Sequence, residues 1–516
     1  MASRTVRTST SIHDNKEFYR KKIQNKKLSG CLEYTAVNVS WQASLGISAL
    51  LFLSSYDFRE KAFNMWLIAA AGVYLICALL SYLIASRIRA GILSEQGDVS
   101  VAVRMLGLVM ILFVFVGNIF MCIAGFMLLR RDKQIEYQLA VYSLMTLLGS
   151  FLVSSINLMK PWVAQYYYIG MGLLLIGMIF NILLMIAASR WVHGKRVDTK
   201  ILPLAALSLL QIAYGNVFGL LFGLIIISKA RHKDQAVSVE WVDIMRRLFR
   251  NYMAVIGMFV VVFLISLSTI SALTFDYNIA VSNDYTNILR APCAQFPFGT
   301  DNYGRCVFTR IVFGARISLI VGIVATLLPI LVGGSLGAIA GYYGKSTENA
   351  IMRTLDILYA VPEMLLAVAI VAAFGANTVN LILALSVSSI PVYARTVRAT
   401  VLSLSKQEFV EAAKACGAKN RLIIFRHIIP NSLAPVIVRA TIGIGAAVLS
   451  TSALSYLGLG VEPHIPEWGN ILKAGSSYLE TNPYIAIFPG LAIIIIVLAF
   501  NFFGDGLRDA LDPKLK

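Results

Sequence analysis

Residues 403–430 read SLSKQEFVEAAKACGAKNRLIIFRHIIP, the longest polar interruption in the second half of the chain, set between two apolar runs each long enough to cross a bilayer. Ser403 or Ser405 is placed to cap a helix that carries Glu408 and Glu411 early, where carboxylates offset the partial positive charge of the free amide ends. Phe409, Ala412, Ala413 and Cys416 recur at i, i+3, i+4 and i+7, which predicts one narrow face of small residues. Gly417 supplies the stop, and a basic stretch (Lys419, Arg421, Arg426, His427) leads to Pro430, where the next apolar run begins. A short helix with a flat alanine face, tethered between two spans, suits being gripped by another protein. It is not built for chemistry.

The surrounding composition sets the class. Of 516 residues, 58% are hydrophobic and only 14% charged, with a mean hydropathy of +0.74. A soluble domain is nearer about 45–50% apolar and about 25% charged. Several runs of about 18 or more nearly uncharged residues predict an all-α polytopic membrane protein. The formal charge of +18 sits in loops, as the excess of cations in cytoplasmic loops requires, and no basic stripe with interleaved aromatics suggests nucleic acid. Residues 1–35 form a basic tail without the apolar core of a signal peptide, so a cytoplasmic N-terminus is expected. The six cysteines show no metal spacing; Cys293 and Cys306 share an outward segment, where a disulfide is chemically permitted and sequence cannot supply its geometry.

Apolar runs near 36–56, 64–86, 105–129, 138–158, 163–188 and 201–228 predict about six additional spans in an accessory region, 36–235. Two basic loops fit that count poorly: Arg130–Lys133 and Arg190–Lys200 would lie outside. Asn157, Asn181, Gln211 and Asn216 are explained by interhelical hydrogen bonding. Residues 229–250 form a polar joint, and VSVEWVDIMRRLFRNY (237–252; Trp241, Ile244, Leu248 and Phe249 on one side, basic residues on the other) predicts a helix lying on the inner leaflet. Beyond it come six further runs: 252–273, 315–341, 355–374, 379–402, 430–452 and 484–504.

Within that second half, Gly341–Ser346 fails as a phosphate loop because Ile339 stands where the pattern needs glycine. Glu363, after Pro362 in an apolar run, is an intramembrane carboxylate and hence a candidate for lining a path, with Asp356 marking the inner boundary. Arg305, Arg310 and Arg316 predict a basic outward surface. His464 and Glu467 are two isolated candidates and do not make a metal site.

Four motifs carry a resemblance. Glu411-Ala412-Ala413, then Gly417 and Pro430, is similar to the EAA loop of ABC-importer permeases, with His427 and Ile429 departing from its pattern. Gly299-Thr300-Asp301, Gly304-Arg305 and Gly314-Ala315-Arg316-Ile317-Ser318 resemble the signature before the second span of the dipeptide/oligopeptide/nickel importers, with Cys306 in place of the usual aspartate. LSYLGLGVEPHIPEWGNIL (454–472) and the ending FNFFGDGLRDALDPKLK resemble the same family.

The resemblance covers about residues 240–516 and implies a type I ABC importer permease domain, 236–516, of about six helices. It implies a bacterial or archaeal cytoplasmic membrane, a second permease subunit, two ATPases and an extracytoplasmic solute-binding protein. ATP and magnesium would sit on the ATPases, leaving no cofactor, metal or catalytic residue here. Glu408, Glu411, Ala412, Ala413, Gly417, Arg426 and Pro430 would couple to the ATPase. Glu363 and Trp468 would line the translocation path, and Asp301, Arg305 and Arg310 would face the binding protein. The competing reading is an ion-gradient-driven transporter of 6+6 spans, which needs a symmetry between the halves that the motifs lack. A membrane enzyme would need a His, Asp or Cys cluster that is absent from the spans. The solute, whether dipeptide, oligopeptide, nickel or other, is not written in these motifs.

Overall fold

The computed structural model describes residues 28, 31–57, 62–93, 99–129, 134–160, 162–194, 196–231 and 239–512; the basic tail falls almost wholly outside them, as does the Arg130–Lys133 loop. The chain divides into two compact units. The first holds residues up to 152, 177–210 and 218–242; the second holds 153–176, 211–217 and 243 onward.

In the first unit, α1 (Leu32–Ser54) and α2 (Met65–Leu93) are joined by a two-residue ribbon, β1 (Tyr56–Asp57) and β2 (Ala62–Phe63). The run expected to cross at 105–129 is instead α3 (Val101–Leu112) and α4 (Ile119–Leu129), folded back on each other. Gly117 between them has φ +77°, a left-handed conformation that ends the helix. Gly107 and Gly125 face one another, so that a Cβ on either would lie 2.7 or 2.6 Å from the other's carbonyl oxygen. Close backbone approach of that kind needs glycine. Asn118 caps α4 by accepting from the Met121 amide and donates to Ser44 Oγ on α1 at 2.8 Å.

The same design recurs. Helices α5 (Ile135–Ser155) and α6 (Tyr167–Trp191) are long, and a second ribbon, β3 (Val192–His193) with β4 (Arg196–Val197), follows. Then come α7 (Leu202–Ser208) and α8 (Val217–Arg231), separated by Gly215 at φ +74°. Gly223 of α8 faces Ala205 and Ser208 of α7. Among the described residues, the six expected accessory spans thus resolve into four long helices and two folded pairs. Hydropathy sums over a window and does not register one left-handed glycine.

Helix α9 (Val239–Leu248) is divided between the units at 242–243, and the second unit contains the long helices α10 (Tyr252–Thr274), α11 (Val307–Tyr343), α14 (Thr378–Leu404), α16 (Ile429–Leu457) and α18 (Tyr484–Leu511). Leu248 and Phe249 are buried while Arg246 and Arg250 are exposed; the Trp241 side chain lies outside the described set. The 355–374 run is a broken pair, α12 (Lys345–Ala360) and α13 (Glu363–Phe374), bent by 83° at Val361-Pro362 because proline denies the helix its amide. Gly333, Gly337 and Gly341, four residues apart on α11, press on the carbonyls of Ile390, Ala394 and Arg398 of α14. By length and composition, nine described helices could cross a membrane, or ten if α12 and α13 form one span.

Candidate functional site

Helix α15 (Glu408–Ala415) is the short polar helix, and its cap is Gln407 rather than Ser403 or Ser405; α14 runs through Leu404, so Ser403 lies in its last turn and Ser405 is its C-cap. Gly417 (φ +77°) ends it with paired bonds, Gly417 N–H to Lys414 O at 2.9 Å and Ala418 N–H to Ala413 O at 3.1 Å. The predicted small face divides. Phe409 and Ala413 turn inward with Val410, which is wholly buried against Ile423, Ile424 and Ile428. Ala412 and Cys416 stay exposed beside Glu408, Glu411 and Ala415. One face of α15 is therefore fastened to the protein and the other is exposed.

The span after it begins before Pro430. Residues 423–428 wind as a wider π turn that runs directly into α16. Pro430 has no amide for the Arg426 carbonyl, and Asn431 Nδ2 donates to His427 O at 2.6 Å, so the register slips there. Arg426 and Pro430 are exposed. Tyr342 at the end of α11 donates to Asn420 Oδ1 at 2.8 Å, with Lys414 Nζ 5.4 Å from its ring centroid. Two ion pairs that sequence reading missed tie α12 to α14: Glu348 with Arg398, and Asp356 with Arg395 at 2.6 Å. Their partners are 39 and 50 residues apart, beyond any local pattern.

At the opposite end the expected binding-protein face requires correction. Asp301, Arg305 and Arg310 are buried, at 1%, 6% and 1% exposure. Asp301 Oδ1 accepts from the Tyr303 and Arg305 amides, both at 2.9 Å. Its Oδ2 accepts from Arg305 Nε at 2.8 Å and lies 3.8 Å from Arg310 Nε. Arg310 also donates to Ala280 O at 2.8 Å. One carboxylate draws two guanidiniums inward, leaving Arg316 exposed. Gly304, at φ +76°, makes the turn possible, since a Cβ there would overlap the Asp284 carbonyl.

Trp468 is likewise interior, at 1% exposure, rather than lining a path within this chain. Its Nε1 donates to Ile311 O at 2.9 Å and its ring covers Gly314. Glu467 caps α17 (Trp468–Ser476), accepting from the Asn470 amide at 3.0 Å and from the hydroxyls of Ser318 and Ser452 at 3.4 and 3.2 Å. Burial raises its pKa, partly offset by these donors. His464 sits apart from it, exposed beside Glu462. Glu363 is exposed at the first turn of α13, at the bend. Cys293 and Cys306 are free thiols.

Residues 240–292 match the family model for the N-terminal TM domain of oligopeptide transport permease C, and 333–516 match the binding-protein-dependent transport system inner membrane component. A dipeptide transport system permease protein, DppC, of Alkalihalophilus pseudofirmus is 45% identical over 285 residues, which is 55% of this chain and 93% of that protein. This chain belongs to that ABC permease family. Glutathione transport system permease proteins GsiD, of Pectobacterium atrosepticum and of Escherichia coli, are 40% and 41% identical over 284 residues, covering 94% of each and 55% of the permease described here. Solved structures of the MetNI methionine ABC transporter in inward-facing conformations show a slight likeness, with TM-score 0.34 and 19% identity over 39% of this permease and 97% of theirs. The permease is thus a multi-pass membrane subunit of an ABC importer, not a gradient-driven 6+6 transporter, and it carries extra N-terminal membrane helices that the family models do not reach.

Proposed function

We propose that the permease imports di- or oligopeptides, or related small solutes, with a second permease subunit, two ATPases and an extracytoplasmic binding protein. ATP and magnesium bind the ATPases, and this chain holds no cofactor. The observation that carries the reading is α15: its outer face of Glu408, Glu411 and Ala412 is open, while Val410 locks its inner face to the start of α16. A push on that outer face is delivered to α14 and α16 as a rigid-body motion instead of being absorbed by a loop. Glu363, at the α12–α13 bend, is the residue we place on the solute path. The dipeptide and glutathione relatives support a small peptide as cargo.

Affinity purification from the native membrane tests the assembly. Two Walker-motif ATPases and one further permease should accompany the chain. A chain that purifies alone and moves solute down a proton or sodium gradient would overturn it.

A further inference from the structure

We propose that residues 32–231 are two tandem copies of one membrane module, each crossing the bilayer twice and then sending a hairpin in and out on the side where the module began. The second copy braces α10.

The two copies share a pattern of residues. Leu32-Glu33-Tyr34, Ser40 and Gly46 answer Ile135-Glu136-Tyr137, Ser143 and Gly149 at identical spacing. Ala85-Ser86-Arg87 answers Ala188-Ser189-Arg190, and Gly117-Asn118 with Phe120 answers Gly215-Asn216 with Phe218. The hairpin turns match in geometry. Gly117 N–H donates to Val114 O and Gly215 N–H to Ile212 O, both at 2.9 Å; Asn118 N–H donates to Phe113 O at 3.2 Å and Asn216 N–H to Gln211 O at 3.1 Å.

The helices of the first hairpin are too short to cross. Helices α3 and α4, of 12 and 11 residues, are about 18 and 16 Å long against a hydrocarbon core of about 30 Å. The first turn sits against Ser44, the thirteenth residue of α1 and so about 18 Å from its start. Both bases open where their module starts: Arg104 of α3 pairs with Glu33 at 3.4 Å, and Lys229 of α8 with Glu136 at 2.5 Å. Lys229 also donates to Gly194 O, which precedes α7, so both ends of the second hairpin lie together.

The second unit agrees. The turn after α5 belongs at the end of α10 and the start of α11, the ends remote from α15: Asn157 donates to Thr274 O at 3.0 Å and Lys160 to Thr309 Oγ1 at 2.6 Å. A chain of six straight accessory spans would put Lys160 on the α15 side. The tip of the second hairpin meets α10 in its middle, where Ser266 donates to Tyr214 O at 3.0 Å. Counted as four crossings instead of six, the sequence no longer sets the basic stretches Arg130–Lys133 and Arg190–Lys200 outside, and the cation bias is obeyed.

The test is a membrane-impermeant maleimide on the full-length permease, applied to intact cells and to inverted vesicles, with labelled sites read by mass spectrometry. An exposed Thr347→Cys on α12, next to the end of α11 that meets Asn420, is the inner-face reference. Gln134→Cys, Gly194→Cys and Lys200→Cys should label with Thr347→Cys in inverted vesicles only, and Asn64→Cys and Gln165→Cys in intact cells only. Gln134→Cys and Lys200→Cys labelling in intact cells would overturn the proposal. The two sites lie at different hairpin bases, so misfolding of one variant leaves the other decisive. This outcome is independent of whether the chain carries peptides or assembles with ATPases.

Discussion

Lys160 Nζ donates to Thr309 Oγ1 at 2.6 Å and lies 5.5 Å from the centroid of the Phe275 ring, a buried ammonium held by one hydroxyl and one aromatic face. Burial lowers the lysine pKa, with Cys306 and Asp276 opposing the shift. Removing Thr309's hydroxyl leaves the ammonium without its acceptor, so Thr309→Val should destabilise the second unit by about 1–3 kcal/mol. Lys160→Met keeps the apolar stem and should be milder than Thr309→Val. Thermal unfolding in detergent gives the order; an equal loss from both would contradict it.

Asp301→Asn should be among the most damaging single changes in the outward loop. It leaves Arg305 and Arg310 buried without their carboxylate, a loss of about 3–5 kcal/mol. Reduced yield of folded protein and a fall in Tm of several degrees are expected. A near-neutral result would mean that water reaches the pair.

At Gly314 a Cβ would lie 2.8 Å from Trp468 Cδ1 and 3.0 Å from its Nε1. Gly314→Ala should therefore cost about 1–3 kcal/mol through overpacking, and Trp468→Phe should relieve part of it. Additive losses in the double variant would show that the two sites do not couple.

Gly417 tests the coupling reading. No atom lies within 4 Å of the place a Cβ would take, so substitution is opposed by φ +77° alone. Gly417→Asn should transport nearly normally, because asparagine tolerates left-handed backbone. Gly417→Val should lose about 1–2 kcal/mol and most ATP-driven uptake. Gly417→Asp, equal to asparagine in shape, isolates charge: uptake lost in Asp but retained in Asn marks this surface as the docking face.

Glu467 makes stability depend on pH. Its folded-state pKa is above the unfolded value of 4.5, so the folded protein holds the proton more tightly. Stability from this group is fully present below that value and is lost as pH rises through the folded-state pKa. Compared with Glu467→Gln, the wild type should lose Tm across that window. A constant difference between pH 4 and 8 would sink the assignment.

Much of this was legible in the residues. The class followed from apolar runs, the short polar helix from the break with Glu411-Ala412-Ala413 and Gly417, and the family from four motifs in order. Which face of α15 is free was not. Val410 lies outside the i, i+3, i+4 stripe, and only its packing against Ile423 and Ile428 turns Phe409 and Ala413 inward. Three arginines within twelve residues read as a surface because Asp301's capacity to collect two of them depends on a turn at Gly304.

Local chemistry, then, was settled by sequence alone: a helical membrane permease, where its short polar helix stops, and the family it belongs to. Hydropathy, helix caps and motif spacing are properties of neighbouring residues. Tertiary structure decided what depends on distant backbone meeting: that Gly107 lies on Gly125, that Asn118 reaches Ser44, and that Lys160 reaches Thr309. The first two of those contacts turn one apparent span into a hairpin, and the third holds an ammonium in the interior. A hydropathy window sees how apolar a run is; only the fold shows whether that run continues across the bilayer or turns back.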